Sequence, residues 1–439
     1  MPHASLPTDR GAAIATELLK RLFGRLPLRI SVRLWNGAAF TVGAGAAGSG
    51  GSSYALVFRN PETVYEAILG RDPLLLAEAY FRGDLDIEGD FFAALGIKNY
   101  LSEIHLSPVE RVAAIVKALR LRALTASRAR AVERRVPLQG RTVSAHSKAE
   151  NSAAIQFHYD VSNDFYALWL DRAMVYSCAY FENRTVDLDE AQRAKLDLIC
   201  RKLLLQSGER FLDIGCGWGA LVIHAAKHFG VRAHGVTLSP HQLQIARQRI
   251  ADEGLENQAT VELMDYRDIP GESQYDKVAS VGMFEHVGLK NLPTYFAVVH
   301  RLLKPRGLFL NHGITHEGAG WEDCLSTEFI NRYVFPDGQL DTISNIQQFM
   351  ERARFEIADV EALRPHYALT LRRWAGNLEQ NHTAALQFVN EATYRVWRLY
   401  MSACALDFEA GSIGIYQVLA SKRAAGMPAL PLTRCHLYR

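Results

Sequence analysis

The sequence has no closely paired cysteines. Its six, Cys178, Cys200, Cys216, Cys324, Cys404 and Cys435, form no CxxC pair. That argues against a disulfide framework or a structural zinc site and fits a reducing cytosol. The first twenty residues lack a basic start followed by an apolar core, so no secretory signal is expected. Apolar runs such as Leu74 to Ala77 fall far short of the roughly 20 residues a membrane span needs. Net charge is small too: 49 Lys and Arg against 47 Asp and Glu, a balance of +2.

What is present is ordinary globular composition over 439 residues, 49% apolar and 22% charged. Two or three domains are expected. The small net charge hides an asymmetry. Residues 1–150 carry 20 basic and 14 acidic side chains, +6; the remainder carries 29 and 33, −4. A basic front half suggests an anionic partner, nucleic acid or phospholipid headgroups. Residues 109–135 sharpen this. Val112, Ile115, Val116, Leu119 and Ala123 form a stripe at helical spacing, and Lys117 to Arg135 holds seven basic residues and one acid. The stripe reads either as a helix packed on its own domain or as a headgroup-binding face. No aromatics interleave the basic run, which argues against nucleic acid.

From about residue 205 strands and helices alternate, the rhythm of a doubly wound parallel α/β sheet. Strands are expected at 210–214, 231–236, 260–264, 277–281 and 307–312. Helices are expected at 220–229, 240–253 and 292–303. Residues 320–410 read as a helical cap rather than further sheet. The sharpest signal is the turn Asp213-Ile214-Gly215-Cys216-Gly217-Trp218-Gly219 between a strand and a helix. Gly215, Gly217 and Ala220 also satisfy a dinucleotide pattern. Two features favour S-adenosylmethionine instead. Asp213 closes the strand before the first glycine, and the next strand ends in Thr237-Leu238-Ser239 with no acid for a ribose. Asp265, after a third strand, can accept from an adenine amino group. His224 and His228 lie four apart on a helix, but no general-base Glu lies between them. No metal is expected.

Beyond the glycine turn, residues 155–420 resemble the cyclopropane-fatty-acyl-phospholipid synthases, which include the mycolic acid cyclopropane synthases and related fatty-acid methyltransferases. The resemblance is carried by Gln156 to Asn163, Tyr176 to Phe181, Leu212 to Gly219, Gly235 to Ser239, Asp265 to Asp268 and Val281 to Gly288. Later matches are Leu310 to Ile314, Phe335 to Gly338, His366-Tyr367 and Tyr400 to Cys404. It implies a Rossmann-like methyltransferase domain with a helical cap at 146–425, a smaller mixed α+β lipid-side domain at 1–145 and a tail at 426–439.

The resemblance also implies a reaction. A cis double bond in a phospholipid acyl chain takes the methyl of S-adenosylmethionine, the carbocation loses a proton to bound bicarbonate, and a cyclopropane closes. Around bicarbonate it places the amides of Cys178 and Ile314 with Glu285, His312 and Tyr367. Cys404 lines the site. Around the cofactor it places Tyr176, Ser177, Asp213, Gly215, Cys216, Gly217, Gly219, Thr237, Ser239, Gln242, Asp265, Tyr266 and Arg267. It suggests a homodimer at the inner face of the membrane on the cytoplasmic side. Several alternatives stay open. The same cation can end as a methyl branch or a hydroxylated chain, the substrate can be a small molecule, and Glu285 can be a helix cap. A lipid- or nucleic-acid-binding protein with a decayed cofactor site fits poorly with the intact turn.

Overall fold

The computed structural model describes residues 9–45, 53–70, 72, 74–103, 106–125, 162–318, 325–334, 339–426 and 430–437. The chain divides into two compact units. One is residues 1–138 with 390–403; the other is 139–389 with 404–439. The expected boundary at 145/146, the match at Phe335 to Gly338 and all but the last two residues of the match Gln156 to Asn163 lie outside the described residues.

In the first unit Asp9 starts the helix Arg10–Phe23 by accepting from the Gly11 and Ala12 amides at 3.0 and 3.3 Å. This satisfies donors that a helix start leaves orphaned. Its buried face, Ala12, Ala15, Leu18 and Leu19, packs on a four-stranded sheet. The strands are β1 (Ile30–Arg33), β2 (Ala39–Val42), β3 (Tyr54–Phe58) and β4 (Leu85–Gly89). Their order is β2-β1-β3-β4, with β1 and β3 parallel.

The helix Pro108–Thr125 belongs to this unit, but the stripe read from the sequence is not what it buries. Ala114, Ala118, Leu121 and Thr125 face the core. Val112 is 62% exposed and Leu119 49%, and Ile115, Val116 and Ala123 are exposed as well. Small residues on the inner face let the helix approach its neighbours closely, so the bulkier aliphatics are left outside. Residues 390–403, expected in the cap, also belong to the first unit. Arg395 donates to the Tyr80 carbonyl at 3.0 Å, and the Arg398 guanidinium lies 3.8 Å from the Phe91 ring centroid. Stacked guanidinium contacts of this kind hold an otherwise polar helix face.

The second unit holds a seven-stranded sheet ordered β10-β11-β9-β8-β5-β6-β7. Its strands are β5 (Arg210–Ile214), β6 (Arg232–Thr237), β7 (Ala259–Leu263), β8 (Tyr275–Val281), β9 (Leu303–His316), β10 (Phe355–Ala362) and β11 (Ile413–Lys422). β5 to β9 are mutually parallel, as the alternating rhythm implies. β11 runs antiparallel to β9 and β10 antiparallel to β11, so two antiparallel strands extend the expected parallel sheet, and β10 falls within the stretch 320–410 read as a helical cap. Helices cover both faces. Phe211 enters one core with Val222 and Ala225, while Leu212 enters the other with Tyr295, Phe296 and Phe309. Burial on both faces explains why these strands read as continuous apolar runs. The terminal segment is docked: Arg201 donates to the Leu437 carbonyl at 2.8 Å, and Arg434 pairs with Asp359 at 2.5 Å.

Candidate functional site

At the carboxyl ends of β5, β6 and β8 the sheet opens into a cleft. Its floor is the glycine turn. Gly215, Gly217 and Gly219 all have positive φ, +81°, +53° and +82°, a region costly for residues with a Cβ. Gly219 begins the helix Ala220–Phe229, whose amides point toward the turn. The cleft is lined by Tyr176, Ser177, Asp213, Gly215, Cys216, Gly217, Thr237, Gln242, Asp265, Tyr266 and Arg267. Gly219 and Ser239, expected to touch a cofactor, lie behind that wall. A Cβ on Gly219 would meet Ala246 at 3.1 Å, and Ser239 caps the Gln242 amide at 3.3 Å. Thr237 donates to Gln242 Oε1 at 2.7 Å and fixes its amide. Asp265 is partly occupied by Arg267, at 2.8 and 2.6 Å, and an ionised carboxylate retains further acceptor sites.

Asp213 is 3% exposed, and burial pushes its carboxyl up to about 7 although Lys195 pulls it down. No hydrogen bond from the described residues reaches it. Lys195 also lines the cleft and donates to Ser177 Oγ at 3.0 Å. Gln192, one turn earlier, donates to the carbonyls of Val175 and Ser177 at 3.2 and 2.8 Å.

A second polar cluster sits where β8 and β9 end side by side, with Val281 opposite His312. Glu285 follows β8 in a short 3-10 turn, fully buried, and caps no helix. Its Oε1 accepts from the Ile314 amide at 2.8 Å, while its Oε2 is buried with no partner among the described residues. Ile314 therefore departs from expectation: its amide is spent holding Glu285. On β9, His312 is 1% exposed. Its Nδ1 lies 3.2 Å from Gln417 Nε2 of β11, and its Nε2 is buried without a partner among the described residues. Burial pushes His312 well below its ordinary value, so the ring is neutral. With Gln417 donating to Nδ1, the ring proton sits on Nε2, a donor that meets no acceptor among the described residues. Burial likewise pushes Glu285 up to about 7.

Cys178 and Tyr367 are drawn together by the start of the helix Arg364–Gln380. The Phe181 amide donates to His366 Nδ1 and the Ala179 amide to Thr370 Oγ1, each at 3.0 Å. The Cys178 amide has no acceptor among the described residues. Burial pushes its thiol far up, so it is no thiolate. Tyr367 is 4.7 Å from the Phe408 ring centroid and 5.9 Å from that of Trp374. Cys404 is buried one turn before Phe408, on the same helix face. Aromatic contacts continue from Trp374 through Tyr176 and Tyr166 to Trp218, two of which line the cleft.

The sequence profile of the family described as mycolic acid cyclopropane synthetase matches residues 146–418. The chain belongs to this family. It is 39% identical over 424 residues, 94% of this chain and 97% of the relative, to a probable fatty acid methyltransferase of Pseudomonas putida. It is 34% identical to the cyclopropane-fatty-acyl-phospholipid synthase of Escherichia coli K12 over 96% of each. A solved mycolic acid cyclopropane synthase, CmaA1 complexed with SAH and CTAB, superposes with a TM-score of 0.58 at 35% identity, covering 62% of this chain and 98% of that one. The chain is an S-adenosylmethionine-dependent methyltransferase of the cyclopropane synthase type.

In this methyltransferase the residues expected around the cofactor, Gly219 and Ser239 excepted, share one cleft, and Glu285 and His312 are both buried where β8 meets β9. Gln417 and Lys195 were not read from the sequence. Gln417 has no motif around it and meets His312 only through strand pairing. Lys195 did leave a signal: it falls on the same helical stripe as Ala191, Gln192, Leu196 and Ile199, all buried. The His224 and His228 rings lie 4.6 Å apart, tilted by 45°, with Asp197 3.7 Å from His224. No group of three or more His, Cys, Asp or Glu among the described residues could hold a metal. Nor is any described helix long and apolar enough to cross a membrane.

Proposed function

We propose that the protein adds the cofactor's methyl carbon to the cis double bond of unsaturated acyl chains in membrane phospholipids and closes a cyclopropane ring. The observation that carries the reading is the pair of buried atoms Glu285 Oε2 and His312 Nε2, which have no partner among the described residues. Unpaired buried polar atoms are costly, and a native protein keeps them where a ligand completes them. The cofactor, when bound, supplies a methyl on a sulfonium, which an alkene attacks. The glycine turn, Asp213, Thr237 and Gln242 hold it. An alkene is a weak nucleophile, so alignment and exclusion of water do most of the work. Tyr166, Tyr176, Trp218, Trp374, Tyr367 and Phe408 provide apolar walls whose ring faces favour a developing cation without trapping it.

The second cluster fits bicarbonate, which would supply a base small enough to work beside a hydrocarbon. That ion needs an acceptor for its hydroxyl and donors for its other oxygens. Glu285 Oε2 accepts; His312 Nε2–H, the Cys178 amide and the Tyr367 hydroxyl donate. Lipid analysis of a host expressing the gene tests the reading. Acyl chains are expected to lose a double bond and gain CH2. A gain of CH4 instead would mean a methyl branch, the outcome suggested by the name of the Pseudomonas putida relative. Unchanged acyl chains would remove lipids as substrate.

The front unit is proposed to dock on anionic bilayer through the helix Pro108–Thr125. Its outward Val112, Val116 and Leu119 stand beside exposed Arg111, Arg120 and Arg122. Apolar insertion with flanking cations is how interfacial helices bind. The purified protein is expected to co-sediment with phosphatidylglycerol vesicles at low salt, and Val112→Asp with Leu119→Asp is expected to weaken this at least tenfold. Equal sedimentation of variant and wild type would exclude this face.

A further inference from the structure

We propose that Lys195, together with the Ser177 hydroxyl it orients, binds the carboxylate of the cofactor's amino-acid tail, opposite Asp213, which takes the tail's ammonium. The inference rests on this chain using S-adenosylmethionine and is independent of which lipid is methylated.

Two buried charges line the cleft. Lys195 is 2% exposed, on the inner face of the helix Leu188–Lys202. Its ammonium, with three protons to give, has one hydrogen-bond partner among the described residues, the neutral Ser177 Oγ at 3.0 Å. Asp213, 3% exposed, receives no hydrogen bond from the described residues. The two groups feel each other, since each shifts the other's titration, yet they form no ion pair within 4 Å. The contrast is Lys202, two turns on, which is equally buried and meets Glu361 at 2.5 Å and Asp359 at 3.8 Å. Lys202 is a finished structural pair; Lys195 and Asp213 are not.

A buried charge without a partner costs several kcal/mol, so it persists where a ligand supplies the missing half. Both groups line the cleft, as does Ser177. A ligand that satisfies both must carry an anion and a cation close together. The α-amino acid tail of S-adenosylmethionine does so. Burial pushes Lys195 down to about 8, with Asp171 and Asp213 pulling the other way, so it remains largely protonated at neutral pH. Donation by Lys195 into Ser177 Oγ leaves the hydroxyl proton free to point into the cleft. The backbone beneath is fixed by Gln192, whose amide holds the carbonyls of Val175 and Ser177.

Three ligands separate the tail from the nucleoside: S-adenosylhomocysteine with the whole tail, decarboxylated S-adenosylmethionine with the ammonium alone, and methylthioadenosine with neither. Calorimetry on Lys195→Met is expected to show S-adenosylhomocysteine weakened about 30- to 100-fold. Binding of the other two should be unchanged. Wild type should already prefer the carboxylate-bearing ligand over the decarboxylated one by a similar factor. Ser177→Ala, which keeps the ammonium, should lose about tenfold toward S-adenosylhomocysteine alone. The proposal is overturned if Lys195→Met binds S-adenosylhomocysteine as wild type does, or loses all three ligands equally while wild type shows no preference for the carboxylate.

Discussion

Glu285→Gln is expected to lose turnover about a thousandfold, to bind S-adenosylhomocysteine as wild type does, and to melt at a higher temperature above pH 7. The three results follow from one geometry. Glu285 lies outside the cofactor cleft, so its charge does not hold the nucleoside. It is fully buried, and its carboxyl is pushed from 4.5 up to about 7 by that burial, while the Ile314 amide pulls the other way. Between those values the folded protein retains a proton that the unfolded chain has released. Stability from this group is therefore complete below pH 4.5 and is lost as pH rises through 7. At pH 8 the buried anion costs at most about 3 kcal/mol. Glutamine keeps an oxygen for the Ile314 amide and removes the charge. The variant's melting advantage should then reach several degrees at pH 8 and vanish at pH 4.5. The wild-type rate should rise as Glu285 ionises, with an apparent midpoint near 7. A variant that melts lower than wild type at pH 8, or turns over normally, would remove Glu285 from the base site.

Much of the fold was legible because its parallel strands are buried on both faces. β5 and the helix Ala220–Phe229 begin and end where the apolar run and the glycine turn place them. β10 was not legible. Its burial alternates along Phe355–Ala362 with Glu356, Asp359 and Glu361 interspersed, so it reads as polar chain between helices. β11 follows a twenty-residue helix and closes the sheet by antiparallel pairing, which no local pattern announces. The same pairing brings Gln417 to His312 across 105 residues. The stripe on Pro108–Thr125 was read as helical for the right reason, its spacing. Which face it turns inward depends on neighbours, and here alanines won the core. Lys195 illustrates the opposite error. A lone lysine is taken for solvent-facing by default, although its place on an apolar stripe argued otherwise.

Gly313→Ala is expected to damage the site as severely as a change of chemistry, although it adds one methyl group to a residue with no reacting atom. Gly313 lies near the end of β9, between His312 and Ile314. A Cβ there would meet Phe284 Cε1 at 2.0 Å. Real Cβ atoms do not approach carbon so closely, so something must move. The strand cannot: β8 grips it through the Gly282 amide to the His312 carbonyl at 2.8 Å, and β11 pairs Tyr416 opposite Gly313. Phe284 must yield, and it is 3% exposed within the core beside Tyr295 and Phe296. Its chain neighbour is Glu285, whose Oε1 is held by Ile314, the residue after the added methyl. Overpacking of this kind costs about 1–3 kcal/mol. The expected result is a melting point lower by several degrees and a rate down about a hundredfold. Cofactor affinity should hold, because Phe284 and Gly313 do not line the cleft. Phe284→Leu shortens the opposing ring, so in the double variant it should recover much of the lost stability, a coupling above about 1 kcal/mol. Wild-type melting and turnover in Gly313→Ala, or purely additive effects in the double variant, would show that the strand end tolerates what its geometry forbids.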